Sequence, residues 1–331
     1  MAAPVLIDTD PGIDDALALI LALGSPEIAV EAITTVAGNV PVDLGTTNVF
    51  RILDVVAPPR RPRVARGAAA PLGRDLMHAA HVHGDDGLGG VDGLAEADGS
   101  PRYPAPAMAL EAGDGAALIL DTAARFPGRL VVIALGPLTN LARAVQRDPA
   151  RLAEIASVVV MGGAIAVPGN VTPAAEFNMY VDPEAAAVVF RAGLPLRLVP
   201  LDVTRQVVLR RGDLDRCLAA GPARIARFVR DFTAHGFAFG AADGDAGIAL
   251  HDPLAVAAAV DPGALGFDAL HVEVEHEGRV TRGLTVADLR PPAPHRPVVP
   301  NCEVAMRVDA PRFLRLFLER LCPASASRPS R

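Results

Sequence analysis

PVLIDTDPGIDDALALILAL, residues 4–23, starts with an unbroken apolar run and ends with a helix-like one, and between them stand four aspartates, Asp8, Asp10, Asp14 and Asp15. A continuous apolar run of strand length reads as a β-strand buried on both faces, the pattern of a parallel sheet covered by helices. Pro11 and Gly12 make the turn, and DDALALILAL supplies the helix with its apolar stripe. The same strand-then-helix alternation recurs at VEAITTVAG (30–38), LVVIALG (130–136), IASVVVMGG (155–163) and LRLVPLDV (196–203). The fold class that follows is α/β: an open, mostly parallel sheet with helices on both faces, Rossmann-like.

Near residue 267 apolar and polar residues begin to alternate, in FDALHVEVEH (267–276), RVTRGLTV (279–286) and CEVAMRVDA (302–310). This predicts a small antiparallel patch near the C-terminus, before a final helix PRFLRLFLERL (311–321). APPRRPRVARGAAAPLGRD (57–75), ADGSPRYPAPA (97–107), GAADGDAG (240–247) and RPPAPHRPVVPN (290–301) read as loops. No composition break or repeat divides the chain, so residues 1–322 are read as a single domain and PASASRPSR (323–331) as a disordered tail.

With 331 residues the chain can bury a sizeable core, and at 51% hydrophobic but 4% aromatic that core is built mainly from Ala, Val, Leu and Ile. A formal net charge of −7 argues against sequence-independent nucleic-acid binding, which depends on neutralising phosphates. Lysine is absent, which excludes Schiff-base lysine chemistry and a Walker-type phosphate lysine. Cys217, Cys302 and Cys322 lie far apart without a CxxC pair, so they read as structural thiols of a reducing compartment, with no disulfide framework or zinc cluster. The N-terminus has no signal-peptide pattern, and no run of about 18 apolar residues offers a membrane span. The expected location is the cytoplasm and the expected partner a small molecule, with no nucleic acid and no membrane.

Four like charges inside eight residues repel one another. Helix N-terminal positions account for Asp14 or Asp15, at about 0.3 to 1 kcal/mol each, and a turn accounts for Asp8 or Asp10. Capping explains one or two of them, not four. The remainder need a counter-charge, and without lysine a hard divalent cation bound by oxygen is the simplest one. Ca²⁺ takes about 6 to 8 oxygens, so it tolerates Asp10, Asp15, a distant carboxylate and a carbonyl together; Mg²⁺ is the alternative. In open α/β sheets ligands bind where the carboxyl ends of the strands converge. Here those ends carry DTDPGIDD, TTVAGN with Asn39, ALGPLTN, and VVVMGG with Met161. Gly136, Gly162 and Gly163 taken alone read as turn formers.

Three further clusters carry polar groups. HAAHVHGDDGLGG (78–90) holds His78, His81, His83, Asp85 and Asp86, and nothing completes a tetrahedral zinc set around its HxH pair. In NVTPAAEFNMYVDPEAA (170–186), Asp182 before Pro183 is an ordinary helix start, whereas Asn170, Glu176 and Asn178 suit a grip on hydroxyls. ALHDPLAVAAAV (249–260) places His251 and Asp252 before an apolar helix, where Asp252 taken alone reads as an N-cap.

Taken in order, DTDPGIDDA, ITTVAGN, HGDDGLGG, ALGPLTNLA, VVVMGG, GNVTPAAEFN, VDPEAA, LDVT, HDPLAV and TVAD make the chain resemble the nucleoside hydrolases, the inosine-uridine-preferring N-ribohydrolase family, over nearly its full length. The resemblance implies Ca²⁺-dependent hydrolysis of ribonucleosides to ribose and free base, in nucleoside salvage, by a nucleoside-hydrolase domain that assembles as a homotetramer or homodimer. It implies one Ca²⁺ held by Asp10, Asp15, Asp252 and the main-chain carbonyl of Leu135, with water and the ribose 2′- and 3′-hydroxyls completing the shell. Asp14 then corresponds to the general base, and Asp8 supports the metal site from behind. Asn39, Met161, Asn170, Glu176 and Asn178 match positions around the ribose, His83 matches a base-pocket histidine, and His251 the acid for the departing base. Members often carry His after the Thr of LDVT; here it is Arg205, and a role attached to that histidine does not transfer. The wall over the base, between Phe232 and His251, matches poorly. Its candidates for stacking a base are Phe232, Phe237 and Phe239; the absence of Trp argues against the purine-specific branch that stacks on tryptophan.

The chemistry gives an independent reason for these residue types. Breaking an N-glycosidic bond develops cationic charge on the ribose and negative charge on the leaving nitrogen. A carboxylate-rich pocket answers the first, a water held by the cation beside Asp14 supplies the nucleophile, and an imidazole answers the second. Two other readings compete. A haloacid-dehalogenase-like phosphatase fits LIDTD, yet lacks lysine and leaves Asp14 and Asp15 without a task. A nucleoside- or ribose-binding protein without turnover has no use for Asp14 and His251.

Overall fold

The computed structural model describes residues 2–221, 223–242, 247–291 and 298–322. The tail 323–331 and parts of the loops 240–247 and 290–301 lie outside the described residues. Strands β1 (Ala3–Thr9), β2 (Ile28–Thr35), β3 (Arg63–Arg66), β4 (Val131–Ala134), β5 (Ser157–Met161) and β6 (Leu196–Val199) run parallel in the order β3-β2-β1-β4-β5-β6. From β1 the chain winds outward through β2 and β3, then crosses back to β4 on the other side of β1. The carboxyl ends of β1 and β4 therefore flank the topological switch point, where such sheets open a crevice.

Val5, Leu6 and Ile7 have no exposed surface because helices cover both faces of the sheet. Val5 and Ile7 share an apolar cluster with helices Ile13–Leu23, Ala223–Ala242, His251–Val260 and Ala310–Leu321. Leu6 lies in a second cluster with Gly115–Arg125, Thr139–Arg147 and Pro183–Arg191. Each buried Val, Leu or Ile contributes about 1.5–3 kcal/mol, so both faces are apolar and the strand reads as an unbroken run. The two-residue period then carries Asp8 to the face of Leu6 and Thr9 to the face of Val5 and Ile7, which sorts the polar groups at the strand end.

Two expectations change. β3 falls inside 57–75, read as loop: only Val64 and Ala65 of its four residues are buried, and the flanking Arg and Pro suit an edge strand rather than a central one. The C-terminal strands are not one antiparallel patch. With β7 (Val208–Arg210) and β8 (Gly247–Ala249) already paired, β9 (Leu265–Leu270) runs antiparallel to β12 (Cys302–Val308), which itself joins the main sheet parallel to β6. β10 (Val272–Val274) and β11 (Thr285–Ala287) form a separate antiparallel ribbon.

The cysteine reading is also corrected. Cys217 and Cys322 are joined in a disulfide with Cα atoms 5.9 Å apart, tying helix Arg211–Ala220 to the end of the last helix; Cys302 is free and buried. Their separation of 105 residues offers no local spacing to read. Among the described residues no helix is long and apolar enough to cross a membrane.

Candidate active site

The four opening aspartates take four different positions. Asp8, fully buried, accepts from Thr34 Oγ1 (2.6 Å) and Asn140 Nδ2 (2.8 Å) through Oδ1, while its Oδ2 has no hydrogen-bond partner among the described residues. Asp15, in the first turn of helix Ile13–Leu23, accepts from Gly12 N (2.9 Å) and Asn39 Nδ2 (3.1 Å) through Oδ2, and from Thr9 Oγ1 and Asp10 N (3.3 Å) through Oδ1. It does serve the helix start, as its position suggests. Asp10 Oδ2 accepts from Asn39 N (2.7 Å), but among the described residues the buried Asp10 Oδ1 has no hydrogen-bond partner, nor has the buried Asp14 Oδ1, 4.0 Å from His83 Nδ1.

Asp14, Asp15 and Asp252 offer carboxylate oxygens all within 4.8 Å of one another. Asp252 sits in the first turn of helix His251–Val260 and is not the N-cap expected of it in isolation; that position is Leu250. Burial, then the charges of Asp14, Asp15 and Asp10, push Asp252 well above the carboxylate range, and burial with Asp15 does the same to Asp10. Burial first and Asp15 second lift Asp14 to about 7; burial lifts Asp8 to about 7 against the opposing bonds from Thr34 and Asn140. Among the described residues no arginine pairs with any of these carboxylates. Buried charge at this density needs a counter-ion, and an all-oxygen donor set with two free buried oxygens suits a hard divalent cation. The trio contains two of the expected ligands, Asp15 and Asp252, together with Asp14. Asp10 stands beside it, and the Leu135 carbonyl accepts from Asn178 Nδ2 (2.6 Å).

Gly136 is more than a turn former. A Cβ there would lie 2.4 Å from Asp10 Oδ1, and one at Gly38 would lie 2.0 Å from Asp10 Oδ2, so both glycines leave room for that carboxylate.

Several of the expected sugar contacts converge. Glu176, 2% exposed, accepts from Gly163 N (2.9 Å), Asn178 N (2.9 Å) and Met179 N (3.2 Å), and burial raises its carboxyl. Asn178 Nδ2 reaches both Leu135 O and Met161 O (3.2 Å), and Asn39 holds Asp10 and Asp15. Asn170 stands apart on an exposed loop, where its Oδ1 accepts from Phe177 N (2.9 Å).

The histidines are fixed from behind. His83 Nδ1 accepts from Ile13 N (3.1 Å), which leaves the proton of the neutral ring on Nε2; burial pushes this imidazole down to about 4. His251 Nδ1 lies 2.7 Å from Thr204 Oγ1, and burial followed by the Arg205 charge brings it to about 4. The rest of the histidine-rich stretch holds its own loop together: His78 bonds Gly38 O (2.9 Å), and Asp86 accepts from Leu88 N, Gly90 N and Asp92 N. Asp182 caps helix Pro183–Arg191, as read.

The core takes two of the three phenylalanines expected at the base. Phe232 has no exposed surface and meets Phe228 edge-on at 5.0 Å; Phe237 lies under the Arg211 guanidinium, 4.4 Å away. Phe239 instead contacts His81, with ring centroids 6.1 Å apart. Two residues went unread. Asn140 joins Asp8 to Thr35 O (2.9 Å) and Ala68 N (2.8 Å), although GPLTN looks like a plain strand-end turn. His235 sits four residues before Phe239, on the same helix face. Its Nε2 is buried without a hydrogen-bond partner among the described residues, and its charge acts on His83.

A family model described as inosine-uridine preferring nucleoside hydrolase matches residues 5–315. The chain is 39% identical over 323 residues to the pyrimidine-specific ribonucleoside hydrolase RihA of Salmonella gallinarum, covering 97% of this chain and 99% of that one. Among solved structures, it matches the plant nucleoside hydrolase PpNRh1 with a TM-score of 0.88 at 34% identity, over 98% of this chain and 100% of that one. A purine-preferring ribonucleoside hydrolase from Gardnerella vaginalis gives a TM-score of 0.85 at 34% identity, over 96% and 98% of the two chains.

Proposed function

We propose how this chain, which belongs to the inosine-uridine preferring nucleoside hydrolase family and is a ribonucleoside hydrolase, cleaves the N-glycosidic bond: Asp14 as general base, His251 as acid, and a Ca²⁺ held by Asp10, Asp15, Asp252 and the Leu135 carbonyl. The observation that carries this reading is the pair of unpartnered buried oxygens, Asp10 Oδ1 and Asp14 Oδ1, beside the clustered carboxylates at the switch point. When bound, a hard cation polarises water and engages vicinal hydroxyls. Asp14, with its free Oδ1 beside the clustered carboxylates, is placed to take a proton from the attacking water. The surrounding carboxylates favour the cationic ribose of the transition state. Asn39, Met161, Glu176 and Asn178 line the sugar, and Asn170, on the exposed loop apart from them, is assigned to it on the family resemblance alone. His251, held through Nδ1, presents Nε2; the resting ring is neutral, and as negative charge develops on the base the ring takes up a proton from solvent and passes it to the leaving nitrogen, returning to the neutral form.

The pyrimidine ribonucleosides uridine and cytidine rank ahead of inosine and adenosine on the likeness to RihA. His83 is the polar contact for the base, with His81 and Phe239 in place of the buried Phe232 and Phe237. Residues 1–322 act as a single domain in a homo-oligomer, tetramer or dimer. The cytoplasmic location now rests on the salvage role rather than on the cysteines, two of which are bridged. The test is ribose release from uridine, cytidine, inosine and adenosine, with and without a chelator. Turnover that survives complete removal of divalent cations defeats the metal assignment, and inosine outrunning uridine defeats the ranking.

A further inference from the structure

The loop that carries Asn170 closes on itself through Gly169 N to Pro173 O and Asn170 N to Ala175 O, both 3.2 Å, and through Phe177 N to Asn170 Oδ1 and Ala175 N to Thr172 Oγ1, both 2.9 Å. Further bonds, to the span before it, come from the short helix Leu201–Thr204 that follows β6 and from the residue after it. Asp202, 9% exposed, accepts from Ile165 N and Ala166 N, each at 2.8 Å, one on either carboxylate oxygen. Arg205 donates from one guanidinium nitrogen to Pro168 O (2.8 Å) and from the other to Gly169 O (2.9 Å). The next residue is Asn170. Two side chains of opposite charge, three residues apart and hence on one helix face, thus take two N–H groups and two carbonyls from the span 165–169.

We infer that Asp202 and Arg205 form a clamp that positions the Asn170 loop for binding the sugar. Both are positioning residues, and the proposal rests on the reading of Asn170 as a ribose contact. Arginine suits the task because its planar fork satisfies two successive carbonyls at once. Charge-assisted bonds to backbone groups are stronger than neutral ones, so they add to the packing of Ile165 and Val167 against the core in holding the loop.

The test measures kcat and KM for uridine with the metal-loaded enzyme, in Arg205→Ala, Asp202→Asn, Asn170→Ala and the double variant Arg205→Ala/Asn170→Ala, together with amide exchange at Ile165 and Ala166. Removing either clamp residue should raise KM about threefold to tenfold, with a smaller change in kcat. The two substitutions alter the charge near His251 in opposite senses, so a purely electrostatic effect would move the kinetics in opposite directions. The clamp moves KM in the same direction in both. Arg205→Ala should add little in the Asn170→Ala background, Arg205→Lys should fall between wild type and alanine, and Asp202→Asn should lose protection at Ile165 and Ala166. Opposite KM shifts, full additivity with Asn170→Ala, or unchanged protection in Asp202→Asn each overturns the clamp. Wild-type kinetics in Asn170→Ala would remove that residue's ribose role, and the exchange measurement still decides the clamp.

Discussion

Replacing Gly136 by alanine tests whether Asp10 is a metal ligand. The added Cβ would stand 2.4 Å from Asp10 Oδ1, 2.9 Å from its Cγ and 2.9 Å from Val36 Cγ1, where real Cβ atoms keep at least 3.0 Å. Val36 is 1% exposed and Asp10 is anchored by Asn39 N, so neither has room to withdraw. The carboxylate must turn away from the position its free oxygen now occupies. Overpacking of this kind costs about 1–3 kcal/mol of stability, and a displaced ligand or its support lowers metal affinity by about 10- to 100-fold. Calorimetric Ca²⁺ titration reads the second quantity and urea unfolding the first. Gly128→Ala is the control: its φ of +68° strains a side chain, yet nothing lies within 4 Å of the new Cβ. It should lose stability alone. Wild-type Ca²⁺ affinity in Gly136→Ala would refute the assignment of Asp10, because the atom the new Cβ meets at the shortest distance is its free oxygen.

Asp14→Ala should abolish ribose release while retaining Ca²⁺ binding by calorimetry; lost binding with preserved activity would reverse the roles of base and ligand. In chelated protein, Asp8 and Asp14 titrate near 7 against an ordinary 3.8. The folded state therefore holds protons that the unfolded state releases, and the stability present below about pH 4 is lost as pH rises through about 7. Differential scanning fluorimetry should show the gain in Tm from Ca²⁺ widening between pH 5 and pH 8, and a constant gain would contradict that sign. Asn140→Ala leaves the buried Ala68 N–H unpaired and strips one of two donors from Asp8; a loss of about 2–3 kcal/mol in urea unfolding is expected. 2′-Deoxyuridine should be turned over about 10⁴-fold less efficiently than uridine, since a missing hydroxyl leaves buried polar groups without partners. Comparable kcat/KM values for the two would argue against the proposed grip on the ribose.

The parallel sheet was legible in the sequence because burial on both faces writes itself as apolar runs, unbroken in the buried parts of β1, β4 and β5 and interrupted only by Glu31 in the first half of β2 and Arg197 in β6. β3 escaped because only two of its four residues are buried and its neighbours are arginine and proline. The disulfide escaped for a different reason: it joins residues 105 apart, and no local spacing encodes such a meeting. In the site, groups that share a strand end were readable, since the sheet brings them together by construction. Asp8, Asp10, Asp14 and Asp15 lie at one such end and Asn39 at the next, and Asn39 does bond both Asp10 and Asp15.

Residues on the covering helix are a harder case, because a helix shows several faces and the sequence does not say which one the pocket receives. Phe232 and Phe237 look like stacking surfaces only until the core claims them, through Phe228 on one side and Arg211 on the other. His235 and Phe239 share the helix face that meets His81 and His83. On the proposed function, base preference is to be sought in those side chains, where the His235 Nε2, without a hydrogen-bond partner among the described residues, can discriminate between bases by the hydrogen bond it makes with one and is denied by another.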